Sequence, residues 1–139
     1  MADTGTLDAN IKKAVDLAEK VGHAFIATSD NEGWPHVAAA RRLKTAGKSL
    51  IDATEWFCPG TMANLKKNRR VSIIIWDAAT DTGYQLFGEM EKMIDIGMLD
   101  GYAPGMKAKW PLPQIESQLI VRISKITDFK RAPHSDIPE

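Results

Sequence analysis

From Ala24 onward the chain is a succession of short apolar runs, each closed by a turn that carries glycine or other turn-forming residues, and this punctuation constrains the fold more than any other feature. AFIATS (Ala24–Ser29) reads as a strand and Asp30–Gly33 (DNEG) as a tight turn, followed by a longer extended segment, WPHVAAARRL (Trp34–Leu43). Lys44–Lys48, with Gly47, turns the chain again before SLIDAT (Ser49–Thr54). VSIIIW (Val71–Trp76) is apolar on both faces, which predicts a strand covered on both sides. YQLFGEMEKMI (Tyr84–Ile94) is strand-like with Gly88 as an expected bulge, and SQLIVRISKI (Ser117–Ile126) is the last strong strand. Strands of this length and spacing predict an antiparallel meander that closes into a barrel, because closure removes edges that invite aggregation.

Two segments break the pattern. Leu7, Ile11, Val15, Ala18 and Val21 recur at helical spacing, and Gly22 is placed to end that helix in a left-handed conformation. Thr61–Lys67 (TMANLKK) follows the breaker Pro59-Gly60 and predicts a short inserted helix. Asp95–Pro113, rich in glycine, proline and methionine, matches neither period, and Ala132–Glu139 reads as a frayed tail. The expectation is a mainly β fold in one domain spanning 1–139: a six-stranded antiparallel barrel with an N-terminal helix and a short inserted helix.

Charge and cysteine content exclude several function classes. Lysine plus arginine equals aspartate plus glutamate at 18 each, so no excess positive charge is available for a nucleic acid or an anionic membrane. Cys58 is the only cysteine, which rules out an intramolecular disulfide. His23, His36 and His134 match no metal-ligand or triad spacing, so no metal site is expected. The polar, acidic start MADTGTLDANIKK is unlike a signal peptide, and no apolar run is long enough to cross a bilayer; the expected location is cytoplasmic.

Two stretches have the chemistry to hold a ligand. In EWFCPGTMANLKKNRR (Glu55–Arg70) a strand ends, Pro59-Gly60 bends the chain, and Thr61 stands where a helix begins. A helix start offers unpaired N–H groups and a threonine adds a hydroxyl, which together suit a phosphate; ordinary capping of a surface helix explains the same residues. In Ala38-Ala39-Ala40-Arg41-Arg42 the alanines leave the backbone approachable. Strand alternation places the two guanidinium groups on opposite faces, one turned toward a ligand, although a packed sheet with two solvated arginines is the commoner arrangement. Lys66, Lys67, Arg69 and Arg70 read first as a solvated helix face. Trp110 offers a ring that stacks on a flat ligand or simply packs. Nothing in the sequence pairs Cys58 with a base, which argues against a catalytic thiol.

Taken in order, AFIATSDNEGWPHVAAARRL (Ala24–Leu43), SLIDATEW (Ser49–Trp56), PGTMANLKKNRRVSIIIW (Pro59–Trp76) and YQLFGEMEKM (Tyr84–Met93) resemble the FMN-binding split-barrel family related to pyridoxamine 5′-phosphate oxidase. The resemblance implies a split barrel that forms a homodimer with FMN at the subunit interface. It implies that Ala38, Ala39 and Ala40 meet the flavin ring through their backbone, and that Arg41 or Arg42 approaches its phosphate. Thr61, with Pro59 and Gly60, would cap both helix and phosphate, and Asn64 is a further contact one turn on. The oxidase itself carries Ser-Arg-Lys where this chain has Pro59-Gly60-Thr61, and it has a C-terminal substrate-holding region beyond the last strand. The implied function is a flavin-dependent oxidoreductase of unknown substrate, using a small-molecule electron donor or acceptor, rather than a pyridoxamine phosphate oxidase. A deazaflavin-dependent reductase and a non-catalytic flavin- or haem-binding module are the alternatives.

Overall fold

The computed structural model describes residues 4–56, 58–98 and 115–133. The leading apolar stripe forms helix α1 (Thr4–Val21), with Ile11, Ala14 and Ala18 buried and Leu7, Val15 and Val21 packed beside them. Gly22 ends it as expected: its φ is 88°, and its N–H donates to the Ala18 carbonyl at 2.8 Å. Strand β1 (Ala24–Ser29) leads through a turn into β2 (Pro35–Ala40). In that turn Asp30 Oδ1 accepts the N–H groups of Glu32 and Trp34, both at 2.9 Å, and Gly33 takes a φ of 86°. Then come β3 (Arg42–Gly47), β4 (Leu50–Trp56), helix α2 (Pro59–Lys67), β5 (Arg70–Asp77), β6 (Thr82–Met98) and β7 (Ile115–Asp128).

The strands form one sheet in the order β2-β1-β5-β6-β7-β4-β3, with every neighbouring pair antiparallel. Seven strands stand where the sequence predicts six. The extra one arises because the extended segment Trp34–Leu43 breaks at Arg41, and because Lys44–Gly47, expected as a turn, continues β3 and leaves only Lys48 and Ser49 to reverse the chain. β2 and β3 lie at opposite edges of the sheet yet are consecutive in sequence, so Arg41 alone joins one edge to the other. The covalent chain thereby closes a split β-barrel that no ladder of hydrogen bonds closes.

The inner face holds the core: Ile26 of β1, Ile51 of β4, Ile73 and Ile75 of β5, Leu86 of β6, and Leu119 and Val121 of β7, capped by α1. The apolar run of β5 divides by strand alternation, with Val71, Ile73 and Ile75 buried inside and Ser72, Ile74 and Trp76 half-buried on the outer face. α1 lies against β3 and β5 and is pinned at its start, where Asp8 Oδ1 accepts the Ser49 N–H at 2.8 Å. Asp81 ties the chain's later part to the β5–β6 turn: Trp76 Nε1 and the N–H groups of Arg131 and Ala132 donate to its carboxylate at 2.7–2.9 Å.

Two outcomes follow from these contacts. The expected bulge at Gly88 is present, with the β6–β7 register shifting between Phe87 and Gly88 and the glycine backbone pressed against the Arg122 carbonyl where a Cβ would collide. Gly88→Ala should therefore destabilise the fold by about 1–3 kcal/mol, read as a lower urea midpoint; an unchanged midpoint would contradict the packing. Hydrogen bonds from the Arg131 N–H, the Trp76 indole and the Ala132 N–H hold the Asp81 carboxyl at about 2, below its ordinary 3.8. A depressed carboxyl contributes stability above its unfolded value and loses it as pH falls. Asp81→Ala should lower the Tm at pH 7, and the gap to the parent should close as pH falls from about 4 to about 2.

Candidate functional site

The bend at Arg41 decides what the junction of β2 and β3 presents. Ala38 and Ala40 point inward and are buried, while Ala39 between them is exposed. Uninterrupted alternation would turn Arg42 inward and Leu43 outward. Instead Leu43 is buried and Arg42 faces out opposite Thr54, because a one-residue break in the strand exchanges its two faces. Arg41 at the bend is exposed too. The expectation that the arginines occupy opposite faces is thus corrected: both are outward.

β2 pairs with β1 on one side only, so its second row of N–H and C=O groups has no strand partner among the described residues. A row of backbone donors and acceptors, small side chains and two adjacent guanidinium groups suits a flat heterocycle with an anionic tail. These residues fit FMN: the edge for the ring, Arg41 and Arg42 for the phosphate. Nearby on the outer surface, Val37 and Phe25 are exposed large apolar residues.

The start of α2 differs from the expectation. The helix begins at Pro59 with Cys58 as its N-cap, and no side chain caps it. Thr61 is therefore not the cap; it lies in the first turn and is fully buried, with its hydroxyl beneath the helix. Pro59 and Gly60 are exposed, but the His36 imidazole lies over Gly60, 3.3 Å from where a Cβ would stand. Asn64 braces the helix: its Nδ2 donates to Thr28 Oγ1 at 3.0 Å, as Asn68 Nδ2 does to Ser29 Oγ at 3.1 Å. Trp110 falls outside the described residues.

Instead, α2 meets β2 through a pair the sequence does not announce. His36 Nε2 lies 3.2 Å from Cys58 Sγ. Partial burial by itself pushes the Cys58 thiol up; the Thr61 hydroxyl and N–H and the His36 ring outweigh it and bring the thiol from 9.0 to about 7. The partners stand on different elements 22 residues apart, so no local motif signals them.

A second feature, a groove of about 780 Å³ on the outer face of β5, β6 and β7, also escaped sequence reading. Its basic lining is largely committed. Arg69 donates to the carbonyls of Met90 and Glu91 at 2.6 and 3.1 Å. Arg122 forms a two-pronged ion pair with Glu91 at 3.1 Å, lowering the carboxyl's pKa and raising its own. Lys125 sits 4.9 Å from the centre of the Phe87 ring. Glu89 and Glu91 also stand in its wall. Among the described residues, no three metal-ligating side chains gather and no helix is long and apolar enough to cross a membrane.

No family model matches the sequence, and no curated protein matches it. Solved structures do match in fold. A Clostridium acetobutylicum protein described as related to general stress protein 26, of the pyridoxinephosphate oxidase family, is similar at a TM-score of 0.63 and 17% identity, over 99% of this chain and 96% of its own. HupZ of Group A Streptococcus is similar at 0.62 and 18%, over 89% and 97%. An FMN-binding protein of Syntrophomonas wolfei is similar at 0.62 and 19%, over 88% and 87%. The likeness to both kinds of protein, FMN-binding and pyridoxinephosphate oxidase-related, lies in the backbone: this chain has the split-barrel fold they share.

Proposed function

We propose that this protein binds FMN along the outer edge of β2, where Arg41 joins it to β3, and acts as a flavin-dependent oxidoreductase on a small molecule. The observation that carries the proposal is the break at Arg41, which places two exposed guanidinium groups beside an unpaired strand edge in a fold that FMN-binding proteins also adopt. In this reading Arg41 and Arg42 hold the phosphate, the backbone of Ala38–Ala40 faces the ring, and the outward Ala39 leaves the approach open. Bound FMN accepts and passes on hydride or electrons, while the chain orients it and shapes access. Thr61, enclosed beneath α2, is left out of the phosphate site.

The protein acts as a homodimer in this proposal. Val37 and Phe25, 58% and 38% exposed beside the ring edge, give a second copy an apolar surface next to the flavin.

Titration of the purified protein with FMN should quench flavin fluorescence at one FMN per chain, and deazaflavin or haemin should compete weakly. The Arg41→Ala/Arg42→Ala double variant should weaken FMN about 10- to 100-fold, the scale of losing charge-assisted hydrogen bonds. Thr61→Val should leave FMN affinity unchanged. An absence of quenching, or an affinity indifferent to both arginines, would overturn the assignment. Sedimentation at micromolar concentration should give a dimer; a monomer would remove the shared interface.

A further inference from the structure

We infer that Cys58 is a nucleophilic thiolate held by His36 and Thr61 at the start of α2, and that its co-reactant is a small hydroperoxide. Three observations converge. His36 Nε2 stands 3.2 Å from Sγ, placing the imidazole to take up the thiol proton and to hand it on. Thr61 Oγ1 is fully enclosed and makes no close hydrogen bond, and the Cys58 sulfur lies within reach of its hydroxyl. An enclosed hydroxyl without a strong acceptor is costly, and a thiolate is a far stronger acceptor than the weak one a neutral thiol offers. The sulfur also occupies the N-cap of a nine-residue helix whose start carries no side-chain cap, where negative charge is favoured. Cys58 is only partly buried.

The chemistry needs what these groups provide. The thiolate attacks the distal oxygen of the hydroperoxide; an S–O bond forms as the O–O bond breaks. The departing alkoxide, or hydroxide from hydrogen peroxide, takes the imidazolium proton from His36. The sulfur is oxidised by two electrons to a sulfenic acid and the hydroperoxide is reduced to an alcohol or water. Since Cys58 is the only cysteine, the chain has no second thiol to resolve the product, and an external thiol returns it to the reduced state.

The test uses the purified 139-residue chain without added flavin, so its outcome is independent of FMN binding. Native protein is compared with the same chain unfolded in urea, whose one cysteine serves as the unperturbed reference. At pH 7 a thiol at about 7 is half ionised and one at 9.0 about one per cent ionised. The lower intrinsic nucleophilicity of the more acidic thiol offsets part of that gain, leaving about a five- to eight-fold faster reaction with hydrogen peroxide in the native state. Dimedone should trap one sulfenic acid on Cys58. The rate of iodoacetamide alkylation should rise with a midpoint near pH 7, and His36→Asn should move that midpoint up by about one unit or more. Thr61→Val, checked for native circular dichroism, should shift it in the same direction. A native midpoint at or above 8.5, a peroxide rate no faster than in the unfolded chain, or a midpoint indifferent to both substitutions would overturn the inference.

Discussion

The barrel depends on a single break in one long strand. Arg41 carries the chain from one edge of the sheet to the other, so closure is achieved by covalent continuity rather than by a seventh ladder. The same break exchanges the inner and outer faces between Ala40 and Leu43, both of which are buried. Without the exchange, Arg42 would enter the core, where an unpaired guanidinium is strongly disfavoured. Closure and the outward display of both arginines are therefore two results of one local irregularity.

The inserted helix has a different logic. It is held on β1 by two asparagine bonds, from Asn64 and Asn68, and on β2 by the contact of His36 with Cys58. With a proline at its first position and no polar side chain at its cap, the helix end leaves its electrostatic demand to be met by the sulfur. Two distinct regions of the surface thus stand on separate devices, two outward arginines at the end of β2 and a cysteine beside a histidine at the start of α2.

Much of the architecture was legible in the sequence, and the reasons are specific. The stripe from Leu7 to Val21 buries Ile11 and Ala18 on one helix face, and Gly22 stops it in the conformation that glycine favours. The β5 run and the bulge at Gly88 were readable because alternation and a lone glycine each have one economical structural meaning. The break at Arg41 was not, since a run of alanines ahead of two arginines carries no apolar contrast to show where alternation fails. Thr61 was misplaced as a cap because Pro59 starts the helix earlier, leaving Cys58 in the capping position. The His36–Cys58 contact depends on α2 docking against β2, a tertiary event with no local signature.

Ser49 gives the fold a consequence for how it can be made. Its N–H is taken by Asp8 of the first helix and its carbonyl accepts the Ile123 N–H of the last strand, each at 2.8 Å, while its own φ is 60°. One strained turn residue therefore joins the beginning, the middle and the end of the chain. During synthesis the first helix finds its anchor only after the β3–β4 hairpin exists, and that anchor is completed only when residue 123 has emerged. Until then the first helix's apolar stripe lacks the last strand among its native surroundings.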